Sequence, residues 1–155
     1  MGARHTLVIG IGHPDRGDDA VGRIVAARLR DLAPEGVRII ETDGEAGKLL
    51  DLFSDADDVI VVDAGVSGAK PGTIHRLDAV VAPLPRPMFA MSSHAIGLVE
   101  SIELARTLGT LPRRCIVYAI EAQGFDLGAG LSQPVAEAVE EACKRVLNEL
   151  RAEAA

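Results

Sequence analysis

The segment Val59-Ile60-Val61-Val62 most narrows what this chain can fold into. Four consecutive β-branched residues favour extended backbone, and the lack of polar alternation gives the strand two covered faces. That predicts a central strand of a sheet enclosed by helices. The interior must then be filled by Val, Ile, Leu and Ala, because 48% of the chain is hydrophobic while only 3% is aromatic and no Trp is present. At 155 residues one core is enough, so a single domain spanning 1–155 is expected.

Apolar runs and helical patterns alternate along the chain in the order of an α/β protein. Thr6 to Ile11 reads as the first strand and ends in the turn-forming run Gly10-Ile11-Gly12-His13-Pro14. Val21, Ile24, Val25, Leu29 and Leu32 then recur at helix spacing after Asp18, and Pro34 closes that helix. Val37 to Glu41 predicts a second strand, and Glu45 to Phe53 a short helix with Leu49, Leu50 and Phe53 turned inward. Thr73 to Asp78 alternates like a half-exposed strand behind the turn signal Lys70-Pro71-Gly72, which implies a reversal onto a sheet edge.

Pro83, Pro85 and Pro87 keep the next stretch out of a helix, so a long surface loop is expected there. Ser92 and Ser93 can cap a helix from about His94 to Leu108. Cys115 to Ala122 reads as the last strand, and Ser132 with Pro134 opens a terminal amphipathic helix. The expected architecture is an α/β three-layer sandwich: a five-stranded, mostly parallel sheet with one antiparallel strand and helices on both faces.

A formal charge of −7, from 16 Lys and Arg against 23 Asp and Glu, argues against a broad nucleic-acid footprint. Apolar runs such as Val59 to Val62 fall far short of a membrane span, and the N-terminus lacks a signal-peptide core, so a cytoplasmic protein is expected. Cys115 and Cys143 fit neither a zinc-site spacing nor a disulfide framework and read as buried reduced thiols.

Parallel sheets bind ligands beyond the carboxyl ends of their strands. Asp19, at the end of the loop after the first strand, Asp63 and His94 all meet that test, although 44 and 31 residues separate them. Two carboxylates and an imidazole can hold a divalent transition ion and leave positions open for water or substrate, as metal-assisted hydrolysis requires. A helix N-terminus would also keep His94 neutral and able to ligate.

Each residue also has a plainer reading. Asp18 can be an N-cap with Asp19 as a first-turn acid, Asp63 can accept from loop amides, and His94 can be an ordinary helix-start residue. His5 and His75 read as surface histidines, and His13 as a residue that stabilises its own loop. Gly10-x-Gly12 is similar to the opening of a dinucleotide fingerprint, with Glu41 as a possible ribose partner. The match breaks where Asp15 replaces the third glycine and where Asp18 and Asp19 would repel a pyrophosphate. No Gly-x-Ser-x-Gly elbow is present, Ser93 and His94 are too close in sequence to form a dyad, and Cys115 has no evident activating group.

Gly10-Ile11-Gly12-His13-Pro14-Asp15-Arg16-Gly17-Asp18-Asp19-Ala20-Val21-Gly22 resembles the signature of the nickel-iron hydrogenase maturation endopeptidases. Val59 to Ser67, with Asp63 in Val-Val-Asp-Ala, is similar to that family's second motif, and Ser93-His94-Ala95-Ile96-Gly97-Leu98 to its third. The likeness runs through nearly the whole chain, including Gly128 to Pro134. It implies that Asp19, Asp63 and His94 are both metal ligands and catalytic residues of a hydrolase. That hydrolase removes a C-terminal extension from the hydrogenase large-subunit precursor after nickel insertion. Nickel carried by the precursor would be the recognition element, the nickel-loaded precursor the partner, and other divalent cations possible occupants of the site.

This chain departs from the pattern at His13, where the family has Asn, and at Asp15 and Arg16, where it has an apolar pair. The Asp43-Gly44-Glu45 segment lacks a threonine found in some members, and it bears on which hydrogenase is recognised. Two other classes remain open from the residues: a non-enzymatic nickel-binding or delivery protein, and a nucleotide-binding module.

Overall fold

The computed structural model describes residues 5–91 and 96–154. The strands are β1 (Thr6–Ile11), β2 (Val37–Thr42), β3 (Asp58–Gly65), β4 (Ile74–Asp78) and β5 (Arg114–Glu121). The helices are α1 (Val21–Leu29), α2 (Ala46–Ser54), α3 (Leu98–Leu108) and α4 (Gln133–Ala154). The strands lie in the order β2-β1-β3-β5-β4, with β4 antiparallel to β5 and the other pairings parallel. This is the expected five-stranded sheet, with the reversal after Lys70-Pro71-Gly72 placing β4 on one edge.

All eight residues of β3 are buried, as a central strand requires. Alternate residues feed two cores. Leu7, Ile9, Val59, Val61 and Val117 pack with Leu49 and Phe53 of α2 and Ile102 and Ala105 of α3. Val8, Ile60, Val62, Tyr118 and Ile120 pack with Val25 of α1 and Val139 and Val146 of α4 on the opposite face. Period-two alternation in strands thus becomes a two-sided sandwich.

One polar knot ties α4 to the antiparallel edge. Glu149 of α4, almost fully buried, accepts from Arg76 Nε at 2.8 Å, from Arg76 Nη2 at 3.1 Å and from Tyr118 Oη at 2.6 Å, and it also pairs with Arg114. The Arg76 hydrogen bonds lower its pKa, burial opposes them, and Tyr118 and Arg114 add to the lowering, which leaves it at about 2.

Several boundaries differ from the sequence reading. α1 stops at Leu29, whose carbonyl accepts from Leu32 N and Ala33 N, and Leu32 is 51% exposed despite its helical spacing. The proline-rich crossing is not a free loop: it contains a 3-10 turn at Arg86–Phe89, and Leu84, Met88 and Phe89 are buried in the α2/α3 core. α3 starts at Leu98, where Gly97 N donates to Glu100 Oε1 at 2.9 Å, so Ile96 and Gly97 stand outside it. The proposed caps Ser92 and Ser93, and His94 itself, lie outside the described residues. Among the described residues no helix is long and apolar enough to cross a membrane. Both cysteines are buried and free.

Candidate active site

From β1 the chain passes through α1 to β2 on one side, and from β2 through α2 to β3 on the other. The strand order therefore reverses between β1 and β3, and a crevice opens at their carboxyl ends. Both described candidate carboxylates line it. Asp63 belongs to β3 and pairs with Ala119, so the strand continues through it and does not end at Val62. Asp19 sits in a 3-10 turn, Gly17–Ala20, between β1 and α1.

Backbone crowding holds that turn in place. A Cβ on Gly12 would lie 1.9 Å from the Asp19 carbonyl oxygen, and one on Gly10 would lie 2.2 Å from that of Gly22. A Cβ on Gly22 would lie 2.3 Å from the carbonyls of both Ile11 and Val62. This close approach of β1, β3 and α1 accounts for the glycines of the loop by packing. Asp19 Oδ2 accepts from His13 N at 3.0 Å, and His13 Nδ1 accepts from Asp15 N at 3.1 Å, so the imidazole braces its own loop.

Asp63 is 8% exposed, and its Oδ1 accepts from Ala64 N at 2.8 Å. Burial pushes its carboxyl well above the ordinary range, and the like charge of Asp19 pushes it further against that hydrogen bond. The two carboxylates share a cavity of about 20 Å³ lined also by Asp43, Met88, Met91 and Phe125. A space of that size takes one water or one ion. Asp63 also borders a second cavity of about 330 Å³, between Ile11, Gly44, Phe89, Leu98 and Val99, which can take side chains of a peptide.

The donor set fits a divalent cation, since two oxygens held close in a poorly hydrated recess repel one another until a positive charge joins them. Among the described residues no group of three His, Cys, Asp or Glu side chains forms a metal cluster; His94 is not among them.

Residues 23–149 match the profile of a family described as hydrogenase maturation protease. The chain belongs to that family. It is 32% identical to the hydrogenase expression/formation protein HoxM of Azotobacter vinelandii, over 95% of this chain and 72% of HoxM. Its fold is similar to that of the hydrogenase maturating endopeptidase HybD from E. coli, with a TM-score of 0.83, 26% identity and coverage of 96% and 93% of the two chains. The [NiFe] hydrogenase maturation protease HycI from Thermococcus kodakarensis gives a TM-score of 0.71 at 26% identity, over 97% and 94%.

In this maturation protease Asp18 is not an N-cap. No side-chain cap bond forms at that turn, and the Asp18 carboxylate instead accepts from residues 123–132, which follow β5. His75 is not a plain surface histidine either: its Nε2 lies 3.0 Å from the buried carboxylate of Glu121, which also accepts from Ser67 N and Ser67 Oγ at 2.7 Å each. Burial raises the Glu121 pKa, but the Ser67 and His75 hydrogen bonds outweigh it and hold the carboxyl below its ordinary value. Asp43, in the segment that the sequence links only to partner recognition, and Phe125, which the sequence reading does not name, also line the cleft. Both follow carboxyl ends of parallel strands, β2 and β5, so the rule that singled out Asp19 and Asp63 would have found them.

Proposed function

We propose that this maturation protease is the endopeptidase that removes the C-terminal extension of a nickel-iron hydrogenase large-subunit precursor after nickel insertion. The observation that carries the reading is the ion-sized recess between Asp19 and Asp63 at the sheet's switch point, in a chain of this family. His94 is the third residue in the proposed set, as metal ligand and catalytic residue with the two aspartates.

The nickel belongs to the substrate: the precursor brings it, and Asp19, Asp63 and His94 complete its contacts. A divalent ion at such a site supplies charge that polarises a carbonyl or acidifies water. The chain's own residues do the rest. Asp19, braced by His13 N, lines the recess, and Asp63, held by Ala64 N, presents its carboxylate from the end of β3 beside it. The larger adjoining cavity gives the substrate chain room beside the reacting bond. Two carboxylates and one histidine make an incomplete metal site, which suits an enzyme that acts only when its partner supplies the ion.

The test compares nickel-loaded and nickel-free precursor. Purified protein should shorten only the loaded form, read by mass spectrometry, and Asp19→Asn, Asp63→Asn and His94→Ala should each slow cleavage by about 100-fold or more. Equal cleavage of both precursors overturns nickel recognition, and full activity in all three variants overturns the site. Metal transfer with the precursor left intact would establish the delivery protein instead.

A further inference from the structure

We propose that Asp18 is a positioning residue for the peptidase reaction: its buried carboxylate fixes residues 123–132 as one wall of the cleft and so sets where Phe125 meets the substrate chain. This rests on the endopeptidase reading above.

Asp18 is 1% exposed, yet none of its side-chain bonds serves its own turn. Oδ2 accepts from Gln123 N at 2.8 Å, Gly124 N at 3.1 Å and Ser132 Oγ at 2.8 Å, and Oδ1 accepts from Ser132 N at 2.7 Å. One carboxylate thus grips both ends of the segment through four hydrogen bonds, and bonds to a carboxylate are stronger than their neutral counterparts. Backbone bonds reinforce the grip: Asp18 N to Gly124 O at 3.0 Å, Gly17 N to Ala129 O at 3.2 Å and Gly128 N to Asp15 O at 2.6 Å.

Little else holds the segment. Asp126 through Gly130 are exposed, Leu127 to 77%, and only Phe125 and Leu131 pack against the α1/α4 core. A cavity of about 290 Å³ borders Asp18, Gly124, Asp126 and Ser132, so no packed wall would resist movement once the anchor is lost. Segments with few buried contacts open at low free energy. Phe125 faces the same recess as Asp19 and Asp63, and Asp18 is the neighbour of Asp19 on one turn. The carboxylate that holds the wall and the carboxylate that faces the substrate are therefore joined by a single peptide unit.

The experiment uses the full chain. Asp18→Asn keeps the shape but removes the charge and points an amide donor at donors. Amide exchange at Gln123, Gly124 and Ser132 should accelerate by about tenfold or more. KM for the nickel-loaded precursor should rise about tenfold, with kcat per folded molecule within about threefold. A purely structural role would lower the folded fraction and leave KM alone. Phe125→Ala should raise KM to a similar degree with exchange at the three amides unchanged. Should Asp18→Asn fail to fold, Ser132→Ala, which removes one of the four bonds, should show the same pattern with a KM rise of about threefold. Faster exchange with unchanged KM, or unchanged exchange in a folded variant, overturns the proposal alone. If the unsubstituted chain cuts no precursor, the endopeptidase reading falls and this proposal with it.

Discussion

Asp19 and Asp63 line one small recess, and the charge of the first adds to burial in raising the proton affinity of the second. Two carboxylates that repel one another store an electrostatic cost which an incoming cation removes.

That cost appears as a pH dependence of stability. The folded pKa of Asp63 lies above its unfolded value, so its contribution is full below the ordinary Asp pKa and is lost as pH rises through the folded value. Asp63→Asn, neutral at every pH and still able to accept from Ala64 N, should melt higher than the parent at pH 7, by an amount on the order of a few °C. The gap should close below about pH 4. Thermal melts across pH in the presence of a chelator check this, and a lower melting point for the variant at pH 7 contradicts it.

Glu149 works in the opposite direction. Its pKa is lowered from 4.5 to about 2, so its stabilisation is present above the ordinary Glu value and is lost as pH falls through about 2. Glu149→Gln should cost about 2 kcal/mol at pH 7, less than a fully buried pair would, because Arg76 and Arg114 both reach solvent. Denaturant midpoints should show the deficit shrinking between pH 4.5 and 2.

Gly12→Ala tests the placement of Asp19 by its backbone. The new methyl would meet the Asp19 carbonyl at 1.9 Å, and no flexible side chain is there to yield. Cleavage should fall by about 100-fold, the scale of a displacement near 1 Å, while a folded population remains. Gly36→Ala is the control: its φ of +87° strains the new residue, but nothing lies within 4 Å of the added carbon. It should lower stability by about 1 kcal/mol and leave activity per folded molecule intact.

The thiols should be silent. Burial, then the charge of Asp78, pushes Cys115 up to about 12, and burial raises Cys143 as well. Thiol reagents at pH 8 should modify neither until the chain opens, and Cys115→Ala should cleave precursor at the parental rate. Prompt loss of activity on alkylation of the folded protein would restore a cysteine mechanism.

Where the controlling interactions are local, the sequence announces them. The β-branched run at Val59 to Val62 identified the central strand, and the turn at Lys70-Pro71-Gly72 identified the reversed edge, because both depend on residue type over a few positions. Asp18 could not be read in this way. Its partners lie 105, 106 and 114 residues further on, and an aspartate ahead of a helical pattern looks like a cap. His75 hid its Glu121 contact for the same reason, 46 residues away. Leu32 kept helical spacing beyond the last helical residue, and the prolines of 83–87 concealed the anchoring of Leu84 and Met88 in the core. Asp19 and Asp63 could be paired only through topology, since chain distance says nothing about a switch point.

The glycines at 10, 12 and 22 leave no slack between backbones, so the spacing of β1, β3 and the Asp19 turn behind the recess is set by main-chain thickness. The outer faces of the helices can change without altering that spacing, whereas the segment carrying Leu127 also carries Phe125, which lines the recess. Sequence change on those outer faces therefore leaves the two backbones that carry Asp19 and Asp63 at the same separation.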